Sequence, residues 1–273
     1  MCDQSKLKSL TFIHAGGVMN SKFFATAVSI CCLLLALNLD AQETEMLIAK
    51  GDSAFKAFNN REALNYYSQV LKIDSSHYEA AWKISRAYVD VGETIDDDET
   101  RKEAYKRAQD YAQKAVNINP EGAKGYLYLS VAIGRVALDA GKKEQVQLSK
   151  DVKAAVDKAL ALDPTDDIAW HVLGRWHRKM ATLNWIQKNF ANMFLGGVPK
   201  EASVDSSAAC FRRAIELNPG HINHHLELAF TYEELDRKDK AILEYEKVVE
   251  LPKTDADDDE YKKQARERLK KLK

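Results

Sequence analysis

Histidine and carboxylate side chains concentrate in three runs of this 273-residue sequence, and each run contains the residue types that bind metal ions. The run HINHH occupies residues 221–225, and the acidic runs DDDE and DADDDE occupy residues 96–99 and 255–260. The histidines have no cysteine or carboxylate partners close by in the sequence, and the acidic runs lack the glycine-bearing loop of an EF-hand. The sequence therefore favours a packing role for His225 and a solvated loop and a helix start for the acidic runs. We predict no metal and no cofactor.

Motifs for catalysis are also absent from the sequence. It contains no His-Glu-x-x-His, no phosphate-binding glycine-rich loop and no Gly-x-Ser-x-Gly. Cys210 stands next to Phe211, which is typical of a small core residue rather than a nucleophile. The sequence predicts a protein that is not an enzyme.

The N-terminal region has the layout of a secretory signal peptide. Residues 23–39, FFATAVSICCLLLALNL, are almost wholly apolar and follow Lys22, and Leu39-Asp40-Ala41 resembles a cleavage site. We predict a signal peptide over residues 1–41, with Met19 as an alternative start, and export to the periplasm or beyond. The alternative is an uncleaved membrane anchor, since 17 apolar residues reach the lower limit of the roughly 17–25 that span a bilayer.

Cleavage would leave one cysteine, Cys210, and so no intramolecular disulfide. Stability must then come from a hydrophobic core, which a chain of residues 42–273 is long enough to form. The formal net charge is −1 for the whole chain, so no strongly basic face is expected and nucleic acid is not a predicted partner.

Three prolines punctuate the chain after similar phrases: KAVNINP, KALALDP and RAIELNP end at Pro120, Pro164 and Pro219. A proline disfavours helix at the residue before it, so each phrase predicts a helix end. A residue with a large ring stands six positions after each proline. Two of these residues begin a pattern of a bulky residue, a leucine, a small residue and an aromatic, and the spacing is the same in both. The rings are Tyr126, Trp170 and His225, and the two patterns are Trp170, Leu173, Gly174, His177 and His225, Leu228, Ala229, Tyr232.

This pattern opens the tetratricopeptide repeat, a helix-turn-helix unit of about 34 residues. The second helix of the unit needs a small residue and an aromatic four positions later. The chain supplies Ala63 and Tyr67, Ser207 and Phe211, and Ala241 and Tyr245. We predict an all-α fold over residues 42–273: a right-handed α-solenoid of about five tetratricopeptide-like helix pairs plus a C-terminal capping helix.

The fourth repeat, residues 165–219, is extended. Pro164 and Pro219 are 55 residues apart and Pro120 and Pro164 are 44 apart, against about 34 for an ordinary unit. The extra length is expected between the two helices in both units. No helix breaker occurs from Trp170 to Leu195, which predicts a lengthened first helix with one apolar stripe. Either the returning loop and the segment 142–160 cover this stripe, or it is a binding surface.

First helices of stacked pairs line a concave groove. The register places seven candidate ligand-binding residues there: Trp82, Arg86, Lys124, His171, Arg175, Arg178 and Asn223. Arg86 and Arg175, each beside an aromatic ring, could bind a carboxylate or a phosphate. Alternatively, the arginines pair with acids of adjacent helices.

The run GRWHRKMATLNWIQKNFANMFLGGVPKEAS, followed by AACFRRAIELNPG, LELAFTYEELDRKDKAI and a late ELP, resembles the helical-repeat domain of the regulator of microtubule dynamics family. The resemblance covers most of residues 42–273 and is sharpest over 165–252. It implies a non-enzymatic protein associated with microtubules or organelles. The predicted export signal departs from that family, because an exported protein meets no tubulin.

The sequence thus favours a non-enzymatic scaffold that binds a protein or extended peptide in its groove. A carrier of lipid or another amphiphile is the alternative, in which the apolar stripe shelters an acyl chain and the arginines hold an anionic head group. A microtubule-associated regulator is a third reading, from the resemblance. A membrane is expected as a partner only if residues 23–39 stay uncleaved.

Overall fold

In the computed structural model, which describes residues 40–183 and 201–273, helices end where the proline phrases predict. The helices before Pro120, Pro164 and Pro219 end at Ile118, Leu162 and Leu217. In each case the backbone N–H of the next residue still donates to the carbonyl four residues earlier, which closes the last turn before the proline. The three stop signals are confirmed.

Eleven helices are present in the described residues, and they form five pairs and a final helix. They are α1 (40–56), α2 (Asn60–Ile73), α3 (Tyr78–Glu93), α4 (Asp98–Ile118), α5 (Ala123–Asp139), α6 (Lys142–Leu162), α7 (Asp167–Ala181), α8 (Val204–Leu217), α9 (Ile222–Glu234), α10 (Lys238–Glu250) and α11 (Asp258–Leu272). Residues 44–273 form one compact unit. No helix in the described ranges is long and apolar enough to cross a bilayer; the predicted signal, residues 1–41, lies almost entirely outside those ranges.

The packing between neighbouring helices is that of an α-solenoid. Each helix from α2 onward packs on the next one along the chain, and α3 on α5, α5 on α7, α7 on α9 and α9 on α11 also touch. First helices of successive pairs are therefore side by side and line one surface. The predicted solenoid of five pairs with a capping helix is confirmed. In α11 the acids lie in the first turn and lysines in the last, which suits the helix dipole.

The small residue and aromatic predicted for each second helix form the core between the two helices of a pair. All six side chains are fully buried: Ala63, Tyr67, Ser207, Phe211, Ala241 and Tyr245. The Tyr67 ring fills the space over Gly51 of α1, where an added Cβ would lie 2.3 Å from the ring. The Phe211 ring covers Gly174 of α7 in the same way, at 3.0 Å. Glycine is needed at positions 51 and 174 because the aromatic ring of the second helix occupies the space that a larger side chain would fill.

Two of the three rings that follow the prolines, Trp170 and His225, contact the proline carbonyl before them. The indole N–H of Trp170 donates to the Pro164 carbonyl at 2.9 Å, and His225 Nε2 lies 3.1 Å from the Pro219 carbonyl oxygen. His225 is buried, as its packing role requires, whereas Trp170 is only half-buried. These contacts fix α7 and α9 to the turns before them.

Two expectations about the long repeats are wrong. The extra length of the third unit does not lie between its helices, since only Ala140 and Gly141 separate α5 from α6; it lies within them, because α5 has 17 residues and α6 has 21. The first helix of the fourth unit does not continue to Leu195. It ends at Ala181, where the Thr182 N–H and hydroxyl both donate to the Arg178 carbonyl. The apolar residues 184–200 of the expected stripe lie outside the described residues.

The start of α6 covers the end of α7. The Trp176 indole N–H donates to the Ser149 carbonyl at 2.8 Å, and Val152 packs in the same buried cluster as Met180 and Leu183. Both elements thereby bury apolar side chains that an ordinary unit would leave in solvent. The segment 142–160 therefore covers at least this part of the stripe, as one of the two readings expected.

Candidate ligand-binding groove

The first helices line a cavity of about 840 Å³. Residues of α3, α5, α7 and α9 form its wall, and the start of α6 and the segment 255–261 complete it. One side is apolar and consists of residues from α5, α6, α7 and the turn after α7: Val131, Val146, Val152, Val172, Trp176 and Leu183. The remaining wall carries charged side chains of both signs. A concavity of this size, mostly apolar with a few polar groups, is typical of a ligand site.

The structure brings five of the seven predicted site residues to this cavity: Arg86, His171, Arg175, Arg178 and Asn223. The other two have structural contacts. Trp82 stacks on Tyr128, with ring centroids 5.3 Å apart and planes 3° apart, so it supports the wall through that ring. Lys124 pairs with the buried carboxylate of Asp166 at 2.7 Å, which also caps α7.

Arg86 lies among aromatic rings. Its guanidinium carbon is 3.5 Å from the centroid of the Phe55 ring and 5.4 Å from that of Trp82, and its terminal nitrogen donates to the Tyr67 hydroxyl at 3.4 Å. No acid lies within ion-pair distance of it in the described residues, and its Nε atom is buried with no hydrogen-bond partner. Ring stacking orients this cation without neutralising it.

Arg178 and Arg175 both contact Glu227 of α9, but Arg178 makes more contacts and shorter ones. Arg178 bonds the Glu227 carboxylate, its backbone carbonyl at 2.8 Å and the Thr231 hydroxyl at 3.2 Å. Arg175 is half-exposed and has only Nε at 3.5 Å from the same carboxylate. Arg178 therefore joins α7 to α9, as the alternative reading expected, whereas exposure leaves the Arg175 pair weak.

A chain of hydrogen bonds runs behind the groove wall from Asp167 to His171. Asp167 Oδ2 is 3.0 Å from His224 Nε2 and accepts from Asn218 at 2.9 Å, and His224 Nδ1 is 3.0 Å from His171 Nδ1. His171 and His224 are buried, and burial is the main cause that lowers the pKa of His224 to about 4 and that of His171 well below its usual value. Bonds from His224 and Asn218 overcome burial and lower the pKa of Asp167 to about 2.

An acidic cluster at the other end of the groove escaped the sequence analysis. Asp90 and Glu93 of α3 line the cavity together with Asp255 and Asp257. Burial raises the pKa of Asp90 to about 8, and the nearby Glu93 and Asp255 add to the shift against the opposing Arg86. Burial, Asp257 and Asp255 raise the pKa of Glu93 to about 7 although Arg135 opposes them. Asp90 and Glu93 follow Arg86 by four and seven residues, so helical spacing could have placed them on the same face.

Chemistry beyond binding has little support in the parts of the chain that the structure describes. No group of three or more histidines, cysteines and carboxylates is arranged there to hold a metal ion. Cys210 is buried, and burial raises the pKa of its thiol to about 12, so it is not a nucleophile at neutral pH.

The fold and the groove define the class of protein, a tetratricopeptide-like α-solenoid. A solved structure described as a thermophilic tetratricopeptide-repeat protein of Thermus thermophilus has the same fold, with a TM-score of 0.62 at 17% identity over 81% of this chain and 98% of that chain. Residues 47–273 match the family model described as "Regulator of microtubule dynamics protein 1-3". The chain belongs to this family, as the sequence resemblance indicated.

Relatives within the family are distant. The chain is 25% identical to regulator of microtubule dynamics protein 3 of Rattus norvegicus, over 83% of this chain and 48% of that protein. It is 26% identical to regulator of microtubule dynamics protein 1 of Caenorhabditis elegans, over 66% of this chain and 79% of that protein. The chain spans less than half the length of several curated relatives, since it covers 41% of the mouse and bovine forms of protein 3.

Proposed function

We propose that this protein is a non-enzymatic scaffold that binds a protein or an extended peptide in the groove formed by its first helices. The observation that carries the proposal is Arg86, a cation that is held between rings at the groove wall and has no acid within ion-pair distance in the described residues. Arg175 adds a second, weakly paired cation on the same wall. Anionic groups of an extended partner can pair with each of them.

The test is a capture of partners with the full chain, followed by titration of the recovered partner. Changing Arg86 and Arg175 to Gln keeps most of each side-chain stem and removes the charge, so folding survives while binding weakens. The matched control is Arg213→Gln, which removes a half-exposed arginine outside the groove whose one ion pair among the described residues is with Glu216. If the double variant binds the partner as tightly as the control variant does, the result would count against the groove as the binding site.

A second candidate is a carrier of lipid or another amphiphile. The apolar side of the cavity favours it, since side chains from α5, α6 and α7 could shelter an acyl chain while Arg86 and Arg175 hold an anionic head group. Native mass spectrometry of the purified chain distinguishes the carrier from the scaffold. A stoichiometric co-purifying amphiphile supports the carrier, and a clean mass of the protein alone supports the scaffold.

A third candidate is a regulator that associates with microtubules, which the names of the family relatives favour. Co-sedimentation of residues 42–273 with polymerised tubulin tests it. The predicted export to the periplasm or beyond remains our proposal and argues against this candidate. Sequencing the N-terminus of the protein recovered from outside the cytoplasm tests export, and a mature chain that begins at Gln42 is the expected result.

A further inference from the structure

The hydrogen-bond chain behind the groove fixes where the protons of two histidines lie. Asp167 is ionised and can only accept, so His224 Nε2 must carry the proton of their 3.0 Å contact. A neutral imidazole has one N–H, so His224 Nδ1 is then a bare acceptor. His171 Nδ1, 3.0 Å from it, must be the donor. His171 in turn is left with a bare Nε2.

This bare nitrogen belongs to a side chain that is buried and yet lines the groove, since His171 is only 6% exposed. His171 makes its one hydrogen bond to the described residues through Nδ1, and its side chain reaches the cavity, so Nε2 has no partner among those residues. The Phe211 ring meets the imidazole edge-on at 5.3 Å and helps to hold its orientation. The groove therefore contains a fixed acceptor that water or a ligand must satisfy.

Two donors accompany this acceptor on the same wall. Arg175 is one helical turn after His171 on α7, and Asn223 comes directly before His224 on α9. Arg175 is half-exposed, and the Asn223 amide makes no hydrogen bond in the described part of the chain. A ligand group that satisfies all three residues must donate one hydrogen bond and accept others.

We propose that His171 accepts a hydrogen bond from a backbone N–H of a bound peptide while Arg175 and Asn223 bond its carbonyl or carboxylate oxygens. This deepens the proposed scaffold function and rests on it. A peptide amide offers the N–H and the oxygen side by side. The carboxylate of a fatty acid has oxygens alone and leaves the histidine unsatisfied. Asp167 and His224 act as positioning residues, because they set the proton arrangement of His171 without touching the ligand.

The first test needs no ligand. Imidazole ¹⁵N NMR of the full chain distinguishes a protonated from a bare ring nitrogen, and we expect His171 to be protonated at Nδ1 and bare at Nε2 at pH 7. A spectrum with the proton on Nε2 would overturn the proposal. The same spectrum reads the two ring nitrogens of His224 and therefore checks each step of the chain.

The second test compares two probes that differ in one atom group. N-acetyl-leucinate has one amide N–H, one carbonyl and one carboxylate, and its ester analogue, O-acetyl-2-hydroxy-4-methylpentanoate, has oxygen in place of the N–H. We expect the amide to bind about tenfold more tightly, because the ester places an oxygen lone pair against the bare nitrogen. Binding of the amide should also shift the His171 Nε2 resonance. Equal affinity for the two probes would overturn the histidine assignment and leave the scaffold in place, whereas failure of both to bind would count against the groove itself.

A pair of variants tests the positioning role. Asp167→Asn replaces an obligate acceptor by a group that can also donate, so the proton order can reverse and His171 Nε2 can gain a proton. We expect the preference for the amide over the ester to fall several-fold, together with a change in the His171 nitrogen resonances. The matched control is Asp239→Asn, which changes an exposed aspartate in the first turn of α10. An unchanged His171 spectrum in folded Asp167→Asn would contradict the role.

Discussion

Glu93, at the end of α3, and Asp257, just before α11, lie next to each other at the edge of the groove. Burial and the negative charge of Asp257 both raise the pKa of Glu93, so the two carboxyl groups repel each other less when Glu93 is protonated. Lys253, four residues before Asp257, adds a contact from the same segment, with Nζ 5.7 Å from the centroid of the Phe58 ring. The segment before the capping helix therefore lies against the end of α3 in the second repeat and against Phe58 of the first repeat, and the repulsion between Glu93 and Asp257 grows as the pH rises.

The acidic end of the groove predicts a loss of stability as the pH rises. The pKa of Asp90 is about 8 in the folded chain against an ordinary 3.8, so the folded state binds more protons between these values and unfolding becomes easier with increasing pH. We expect Asp90→Asn to raise stability at pH 9 by about 1–3 kcal/mol more than at pH 5, because the folded wild-type chain must lose the proton of this half-buried carboxyl over that range and the variant has none to lose. Urea unfolding at both pH values measures this.

The control for that prediction is Asp239→Asn, which changes an exposed aspartate far from the cluster in sequence. It should not alter the difference in stability between pH 5 and pH 9. A similar gain at pH 9 in the control would mean that net charge, and not the acidic cluster in the groove, is responsible.

The buried histidines predict the opposite slope on the acid side. The pKa of His224 is lowered to about 4 from an ordinary 6.5, and that of His171 is lowered as well, so the unfolded chain binds more protons between these values. Their contribution to stability is complete above about pH 6.5 and is lost as the pH falls toward 4. In this pH window, the slope of the unfolding free energy against pH measures how many more protons the unfolded chain binds. We expect His171→Asn to lower that number by about one. An unchanged slope would mean that His171 is protonated in the folded chain.

Ring-over-glycine packing makes a prediction about two glycines with opposite surroundings. An added Cβ at Gly51 would lie 2.3 Å from the buried Tyr67 ring, whose hydroxyl is held by Asp52 at 2.7 Å, while a Cβ at Gly134 of α5 would meet nothing within 4 Å. We expect Gly51→Ala to destabilise the chain by about 1–3 kcal/mol. Gly134→Ala should stabilise it by about 0.5–1 kcal/mol, since alanine loses less backbone entropy in a helix. Thermal unfolding of both variants gives the comparison, and equal effects would contradict the packing.

The repeat architecture was predictable from the sequence because its signals are local. Proline stops, capping residues and the spacing of small and aromatic residues act within one helix or one turn, so Pro164, Gly174 and Phe211 could be assigned correctly. The groove position of Arg86 followed from the same register.

Features that depend on contacts between distant elements were not predictable. The length of α6 was missed because nothing in residues 142–152 marks a partner, and the partner is Trp176 of the next unit. The acidic cluster was missed because Asp255 and Asp257 read as a solvated helix start, and only the packing of their segment at the groove brings them to Asp90. Which arginine is paired likewise depends on the position of Glu227 on another helix.

Trp176 provides the test of how the long third repeat supports the fourth. Its side chain is buried at 4% exposure, and its N–H bonds the Ser149 carbonyl of α6 at 2.8 Å, so Trp176→Ala removes both a large ring and a link between units. We expect a loss of about 3–5 kcal/mol in urea unfolding, because the neighbouring helices cannot close the cavity. Trp170→Ala is the matched control: that ring is half-buried and bonds within its own turn, so its loss should cost clearly less. If Trp170→Ala lowered the free energy of unfolding more than Trp176→Ala does, then ordinary repeat packing, and not the lengthened α6, would support α7.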